Sequence, residues 1–177
     1  MNDQMTELVE PALELYSAWA ECVADYDRYD DMNGSGWWWI DAFGADLDSC
    51  RALIAKADQL RTNPPEGLVV SDCYWIAHGG EVIGFLMLRR SLDNEFLRTE
   101  GGHIGYSIRP SHRRRGHASR ALRLALDAAN SLGIDRVLIT CEEENVASAR
   151  TIESQGGVFE STYAGKRRYW VETAVVD

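Results

Sequence analysis

Cysteine is scarce in this sequence, and the few cysteines do not pair in any recognisable motif. Cys22, Cys50, Cys73 and Cys141 lie far apart, with no Cys-x-x-Cys spacing among them. This pattern is typical of reduced, mostly buried thiols in a reducing compartment. It favours neither a disulfide framework nor a metal site, and we expect no bound metal.

Long apolar runs are also absent. No apolar stretch approaches the roughly 18 residues that a membrane span needs. The N-terminal segment, residues 1–7, lacks the basic and apolar regions of a signal peptide. We therefore expect a cytoplasmic protein that has no membrane partner.

Positive charge is in deficit. The chain carries 18 Lys and Arg against 28 Asp and Glu, a net charge of -10. Such a field repels nucleic acid backbones and mildly favours cationic small partners. With 45% hydrophobic residues the chain can build a real core. Because no repeat or linker interrupts it, we expect one domain over residues 1–177.

Hydrophobic periodicity predicts an α/β (α+β) order of elements. Three-and-four spacing indicates helices at 11–27 and 47–60, after a short strand at 7–9. Alternation and turn residues then indicate further elements: strands at 73–77, 82–88 and 103–109, a helix at 116–132, a strand at 137–141, a helix at 145–155, and strands at 158–163 and 168–175. This order predicts a mixed, mostly antiparallel sheet of about six to seven strands flanked by about four helices, with a central β-α-β unit.

The segment from Ile108 to Leu122 carries the clearest chemistry. It reads Ile-Arg-Pro-Ser-His-Arg-Arg-Arg-Gly-His-Ala-Ser-Arg-Ala-Leu. A strand ends at proline, crosses a basic turn and enters a helix whose first backbone N–H groups lack intrahelical partners. Gly116 and Ala118 would let a diphosphate approach the main chain closely. The segment therefore predicts an anion cradle.

The composition of this turn alone is also compatible with a purely structural role. A basic surface turn before an ordinary helix would have the same residue types. A nuclear-targeting or nucleic-acid role for the arginines is disfavoured, because the chain as a whole is acidic. A dinucleotide or P-loop fold is also disfavoured, since no Gly-x-Gly-x-x-Gly or Gly-Lys-Ser/Thr follows a strand.

The spacing Arg113-x-x-Gly116-x-Ala118 resembles the signature of the GCN5-related N-acetyltransferase (GNAT) superfamily, between its fourth strand and third helix. The later segment from Asn145 to Gly157 is similar to the family's fourth helix, with its Asn-x-x-Ser start and Glu-x-x-Gly finish. The stretch from Gly101 to Pro110 further resembles a bacterial branch of predicted acetyltransferases. The resemblance covers about residues 70 to 177 well.

The resemblance implies an acyl-CoA N-acyltransferase fold that uses acetyl-CoA as cosubstrate and no metal. Amides from Arg114 to Ser119 would hold the diphosphate, and strand residues near Ile108 would pair with the pantetheine arm. Asn145 would bind the pantetheine or cap the fourth helix. The implied cofactor-binding residues are Ile108, Arg109, Arg113, Arg114, Arg115, Gly116, His117, Ala118, Ser119, Asn145 and Ser148.

The usual acid and base of the family are missing. Many relatives have a tyrosine where this chain has Ile152, and a glutamate near Ile104. We expect His103 to act as base, because its ordinary pKa suits neutral pH. Tyr106 or Tyr163 is expected to donate the proton to the departing thiolate. Tyr169 is an alternative donor, and structural roles stay open for all of these residues.

The acceptor is not specified by any motif. The expected partner is a small-molecule or peptide amine acetylated by direct attack, and a homodimer is also open because family members often dimerise. The missing acid and base favour one alternative, a non-catalytic acyl-CoA-binding sensor or interaction module. The run from Trp37 to Trp39 is interpreted either as a wall of the acceptor site or as a dimer contact.

Overall fold

The computed structural model describes residues 5–28, 31–34 and 44–174. The interpretation of Trp37 to Trp39 lies outside these residues. The elements in chain order are β1 (Glu7–Val9), a 3-10 turn (Leu13–Leu15), α1 (Tyr16–Ala24), α2 (Leu47–Thr62), β2 (Ser71–His78), β3 (Glu81–Arg89), a π-turn (Leu97–Gly101), β4 (Ile104–Ile108), a 3-10 turn (Pro110–His112), α3 (His117–Ser131), β5 (Arg136–Glu142), α4 (Val146–Ser154), β6 (Val158–Tyr163) and β7 (Lys166–Glu172).

These elements build one seven-stranded sheet with the order β1-β2-β3-β4-β5-β7-β6. Among the strands of the described residues, only the β4–β5 pair is parallel, and the others pair antiparallel. The parallel pair is joined through α3, which is the β-α-β crossover. The predicted fold class, with its mostly antiparallel sheet and central β-α-β unit, is confirmed.

Helices cover both faces of the sheet. On one face α3 and α4 pack through residues such as Leu122, Leu126 and Ile152. On the other face α1 and α2 pack through Trp19 and Leu53, among others. Because side chains of a strand alternate between faces, each central strand contributes to both cores.

Local capping explains where several helices begin and end. The Asp46 carboxylate accepts a hydrogen bond from the Ser49 amide at 2.8 Å and fixes the start of α2. Gly133, with φ of 77°, ends α3 just after Leu132. These caps agree with the sequence pattern.

Two predicted elements had wrong bounds. The first helix was expected over 11–27, but the regular helix spans Tyr16–Ala24, after a 3-10 turn. The last strand was expected over 168–175, but β7 spans Lys166–Glu172. Its hairpin turns on only Ala164 and Gly165, whose φ angles of 49° and 77° match the two-residue turns preferred between antiparallel strands.

All four cysteines are free thiols. Burial raises the pKa of both Cys22 and Cys73 to about 12, so these thiols are unreactive at neutral pH. Across the described residues, no helix has the length and apolarity that a bilayer crossing requires. In the same part of the chain, no three His, Cys, Asp or Glu side chains are grouped to hold a metal ion.

Candidate active site

A gap opens between the two parallel strands β4 and β5. Their ladder holds a single pair, Ile104 with Ile139, whereas β3 and β4 pair along their whole shared length. Gly102 lies at the closed end, where an added Cβ would approach the Leu138 carbonyl oxygen to 2.6 Å. Only glycine allows this close approach, and the strands separate beyond it.

Main-chain groups of β4 face this gap. The Arg89 amide donates to the His103 carbonyl at 2.7 Å, and the Arg109 amide donates to the Ile83 carbonyl at 2.8 Å. Because hydrogen-bonding direction alternates along a strand, Tyr106 and Ile108 point their N–H and C=O groups away from β3. The Ile108 carbonyl accepts from the Arg113 side chain, so the Tyr106 groups and the Ile108 amide are left to pair with an extended ligand lying in the gap.

The first turn of α3 lies at the mouth of the gap, and its backbone amides are unpaired. The earliest intrahelical bond runs from the Arg120 amide to the Gly116 carbonyl at 3.1 Å. The amides of His117, Ala118 and Ser119 therefore have no acceptor within the described chain. Gly116 has φ of 82°, and a Cβ there would meet no atom closer than Arg120 Nη1 at 3.7 Å. This open helix start fits a diphosphate.

The arginines of this turn differ in their surroundings. Arg113, Arg114 and Arg115 are all exposed, but they differ in their contacts. Arg113 donates through Nε to the Ile108 carbonyl at 2.9 Å, and its guanidinium lies 6.0 Å from the Tyr26 ring centre. Arg113 thus braces the end of β4, while its neighbours supply positive charge.

Arg109 was predicted as a cofactor ligand, and its contacts do not support that role. Its side chain pairs with Asp25 at 3.3 Å, and its amide is engaged by β3. The His117 ring likewise points inward, with Nδ1 3.0 Å from the Thr6 hydroxyl and the ring centre 4.6 Å from that of His78. Only the main chain of His117 is placed to meet an anion.

A pair of hydroxyl groups bridges the gap. The Tyr106 hydroxyl, from β4, lies 2.9 Å from the Ser148 hydroxyl at the start of α4. The Asn145 side chain accepts from the Ser148 amide at 3.0 Å and holds this turn in place. Burial raises the pKa of Tyr106 to about 12, so its phenol keeps its proton at neutral pH. The pair is a protonated donor beside the predicted pantetheine path.

His103 was predicted as the base, and the geometry does not support that role. The ring is buried, and its Nδ1 accepts a hydrogen bond from the Leu138 amide at 2.9 Å. Burial and the nearby Arg89 charge lower the pKa of His103 to about 4. A ring whose free lone pair is already used, and which resists protonation, is a structural link between β4 and β5.

The other predicted proton donors also lie away from the gap or are engaged elsewhere. Tyr163 is 52% exposed at the tip of the hairpin formed by β6, two strands beyond β5. The Tyr169 hydroxyl donates to the Glu153 carboxylate at 3.1 Å. Ile152 is fully buried in the core beneath α4. Of the three predicted catalytic residues, the structure therefore brings only Tyr106 to the gap.

The π-turn Leu97–Gly101, which precedes β4, was not predicted from the sequence. Its defining bond runs from the Gly102 amide to the Leu97 carbonyl at 2.8 Å. The side chain of Thr140, on β5, donates to the Glu100 carbonyl. A five-residue π-turn has no hydrophobic period to detect, and the only signal was the Gly101-Gly102 pair.

The sheet with one splayed parallel pair, and a helix start open at its mouth, defines the acyl-CoA N-acyltransferase class. The family model for the GNAT acetyltransferase domain matches residues 10–158. The chain belongs to the GNAT acetyltransferase family, whose chemistry is acetyl transfer.

Solved structures share this fold at low sequence identity. RimL, a ribosomal L7/L12 α-N-protein acetyltransferase in complex with coenzyme A, is 16% identical with a TM-score of 0.69, covering 97% of this chain and 95% of that one. MccE, a microcin C7 self-immunity acetyltransferase with acetyl-CoA and AMP, is 16% identical with a TM-score of 0.63, covering 97% and 93%. RimJ of Mycobacterium smegmatis with CoA-disulfide is 19% identical with a TM-score of 0.63, covering 94% and 81%. No curated protein matches the sequence.

Proposed function

We propose that this protein transfers an acetyl group from acetyl-CoA to a primary amine by direct attack of the amine nitrogen. The observation that carries the proposal is the row of unpaired amides at the start of α3, set at the mouth of the β4–β5 gap. A helix start binds anions because its free N–H groups and the helix dipole act together.

The residues of the turn would hold the donor in a defined direction. Amides of His117, Ala118 and Ser119 would bind the diphosphate, with Arg114 and Arg115 adding charge. The pantetheine arm would lie along β4 and pair with the main-chain groups that face the gap. When bound, acetyl-CoA supplies the activated acetyl thioester.

The hydroxyl pair is suited to the leaving thiolate. Tyr106 and Ser148 lie 2.9 Å apart across the gap, and neither is ionised at neutral pH because burial raises the pKa of Tyr106 and serine is not acidic. The pair would donate a proton to the thiolate. It would thereby take the role of the tyrosine that many relatives have at the position of Ile152. Ser148 then has a chemical role beyond the cofactor contact expected from sequence.

The acceptor would reach the gap from the opposite face. The α3 start lies on the face shared with α4, so the donor fills that side. On the α1 and α2 face, the main chain of Gly34 packs 3.5 Å from the position of a Cβ on Gly105, beside the gap. The amine would enter next to this contact. The RimL neighbour acts on a protein amino terminus, so peptide amines are the first acceptors to test.

Calorimetry and a turnover assay test the proposal together. We expect acetyl-CoA to bind with a micromolar dissociation constant, and thiol to be released when an amine is added. The amine panel should contain a short peptide with a free amino terminus, spermidine, lysine and glucosamine. Absence of acetyl-CoA binding at millimolar ligand would refute the donor site.

One observation favours a second candidate, a non-catalytic acyl-CoA sensor. The position of the usual tyrosine is held by Ile152, which is fully buried and cannot donate a proton. Under this alternative acetyl-CoA binds, but no amine in the panel accelerates thiol release. The same two measurements therefore separate the two candidates.

A further inference from the structure

The π-turn Leu97–Gly101 is held by side chains from three different strands. Arg168 of β7 donates through Nη1 to the carbonyls of Arg98 and Thr99, each at 2.6 Å. Thr140 of β5 donates to the next carbonyl, that of Glu100. Arg89 of β3 donates to the carbonyls of Gly101 and Gly102, each at 3.3 Å. Five successive carbonyls are thus fixed, so the turn is a rigid platform.

This platform stands at the acceptor side of the gap. Thr140 follows Ile139, the last β5 residue that pairs with β4. Ile139 packs in the core under α3 and α4, so alternation places the Thr140 side chain on the opposite face. The bond from Thr140 to the Glu100 carbonyl therefore fixes Glu100 beside the opening, on the face from which the amine would enter.

The Glu100 carboxylate is free, unlike several other glutamates of this region. Glu160 binds Arg168 and Trp170, and Glu153 accepts from Tyr169. Glu142 pairs with Lys166. Within the described ranges, the carboxylate of Glu100 makes no hydrogen bond or ion pair, although the residue is partly buried. The Glu100 main chain is therefore fixed by Thr140, and its carboxylate is available to a ligand.

We propose that Glu100 receives the acceptor ammonium group and takes its first proton. The inference rests on the proposed function and deepens it, because it names a cationic primary amine as substrate and assigns the missing base. A partly buried carboxylate without a counter-ion favours a cationic ligand, and an overall charge of -10 draws such ligands to the protein.

The proton transfers and bond changes take place in the following order. The ammonium gives one proton to the Glu100 carboxylate, and the neutral amine nitrogen then bonds to the acetyl carbon. As the carbon–sulfur bond breaks, the Tyr106–Ser148 pair gives a proton to the thiolate. The nitrogen loses its second proton, which restores the hydroxyl pair through solvent, and Glu100 releases its proton to water.

Glu100→Gln tests the assignment, with Glu95→Gln as matched control. Glu95 is an exposed residue just before the same turn, and its carbonyl is not among those bound by Thr140, Arg89 or Arg168. With the best amine of the panel, we expect Glu100→Gln to lower kcat/KM for the amine about 100-fold, in the range of general base catalysis. The variant should keep the acetyl-CoA dissociation constant and bind the amine about tenfold more weakly when saturated with desulfo-CoA. The control should stay within about twofold.

The outcomes separate this inference from the proposed function. An active wild type with an equally active Glu100→Gln variant overturns the inference alone. Weakened acetyl-CoA binding in Glu100→Gln, or an equal loss in Glu95→Gln, also overturns it, because either shows that the turn acts structurally. A wild type that binds acetyl-CoA but acetylates no amine overturns the proposed function and, with it, this inference.

Discussion

The Tyr106 hydroxyl is the group whose removal would report most directly on the leaving thiolate. It lies 2.9 Å from Ser148 Oγ and keeps its proton because burial raises its pKa to about 12. We expect Tyr106→Phe to lower kcat about 10- to 100-fold while the acetyl-CoA dissociation constant changes less than about threefold, since the ring is retained. Steady-state kinetics and calorimetry measure the two quantities.

Tyr163→Phe is the matched control for Tyr106→Phe. This exposed tyrosine of β6 was a donor candidate on sequence grounds, but it lies at the far hairpin. We expect the Tyr163 variant to keep full activity. A larger loss of kcat in Tyr163→Phe than in Tyr106→Phe would reverse the assignment of the proton donor.

His103 makes the stability of the fold depend on pH. Burial and the Arg89 charge lower its pKa to about 4, against about 6.5 in the unfolded chain. Between these values the unfolded chain binds a proton that the folded ring does not. The contribution is therefore fully present above about pH 6.5 and is lost as the pH falls towards 4.

Urea unfolding at pH 7.5 and pH 5 measures this contribution. We expect the free energy of unfolding to fall by about 2 kcal/mol through His103 alone, from the linkage relation applied to the two pKa values. His103→Gln keeps an acceptor for the Leu138 amide and removes the titrating ring. Other groups contribute to the pH dependence, so the quantity to compare is the difference between wild type and variant, and a difference near zero contradicts the prediction.

At the scale of one element, the start of α3 should tolerate no side chain at Gly116. Its φ of 82° disfavours any residue with a Cβ, and the space beside it is the expected diphosphate site. We expect Gly116→Glu to weaken acetyl-CoA binding at least about tenfold, through intrusion and charge repulsion. Calorimetry measures the affinity.

Gly133 offers a control for backbone strain at the other end of the same helix. It has φ of 77°, and a Cβ there would meet nothing within 4 Å. Gly133→Glu should therefore cost about 1 kcal/mol of stability, like Gly116→Glu, but leave acetyl-CoA affinity unchanged. Equal affinity losses in the two variants would show that the effect is strain and not contact with the ligand.

Elements with a clear period were predictable, and elements defined by tertiary contacts were not. The helix from 116 to 132 and the His78–Glu81 hairpin were found because glycines and apolar spacing mark them directly. The π-turn has five residues and owes its shape to Arg168, Thr140 and Arg89, which come from other parts of the chain. No local sequence pattern predicts such a turn.

The site residues show the same difference between features set locally and features set by long-range contacts. The open helix start after Gly116 was predictable, because unpaired main-chain amides there depend on a local turn and helix start. The assignment of His103 depended on its surroundings, and the Leu138 amide that occupies its ring nitrogen lies 35 residues further along the chain. The pairing of Tyr106 with Ser148, 42 residues apart, depends on the same long-range geometry.

At the scale of the whole molecule, the two cores share the strands between them. Adjacent residues of β3 point to opposite faces, with Phe85 in the core under α1 and α2 and Leu86 in the core under α3 and α4. If the packing of one core is lost, the strands that form the other core lose the support of one of their faces. We therefore predict that the sheet and its helices unfold in one cooperative transition.

Acetyl-CoA should raise the temperature of that single transition. A ligand that binds only the folded state at 100 times its dissociation constant adds about 2.7 kcal/mol to the stability. For a chain of this length, we expect the Tm to rise by about 5–10 °C in differential scanning calorimetry. Gly116→Glu should show little of this rise at the same ligand concentration. Two separated transitions, with only one moved by acetyl-CoA, would contradict the shared-sheet argument, because the proposed cofactor site lies on strands that belong to both cores.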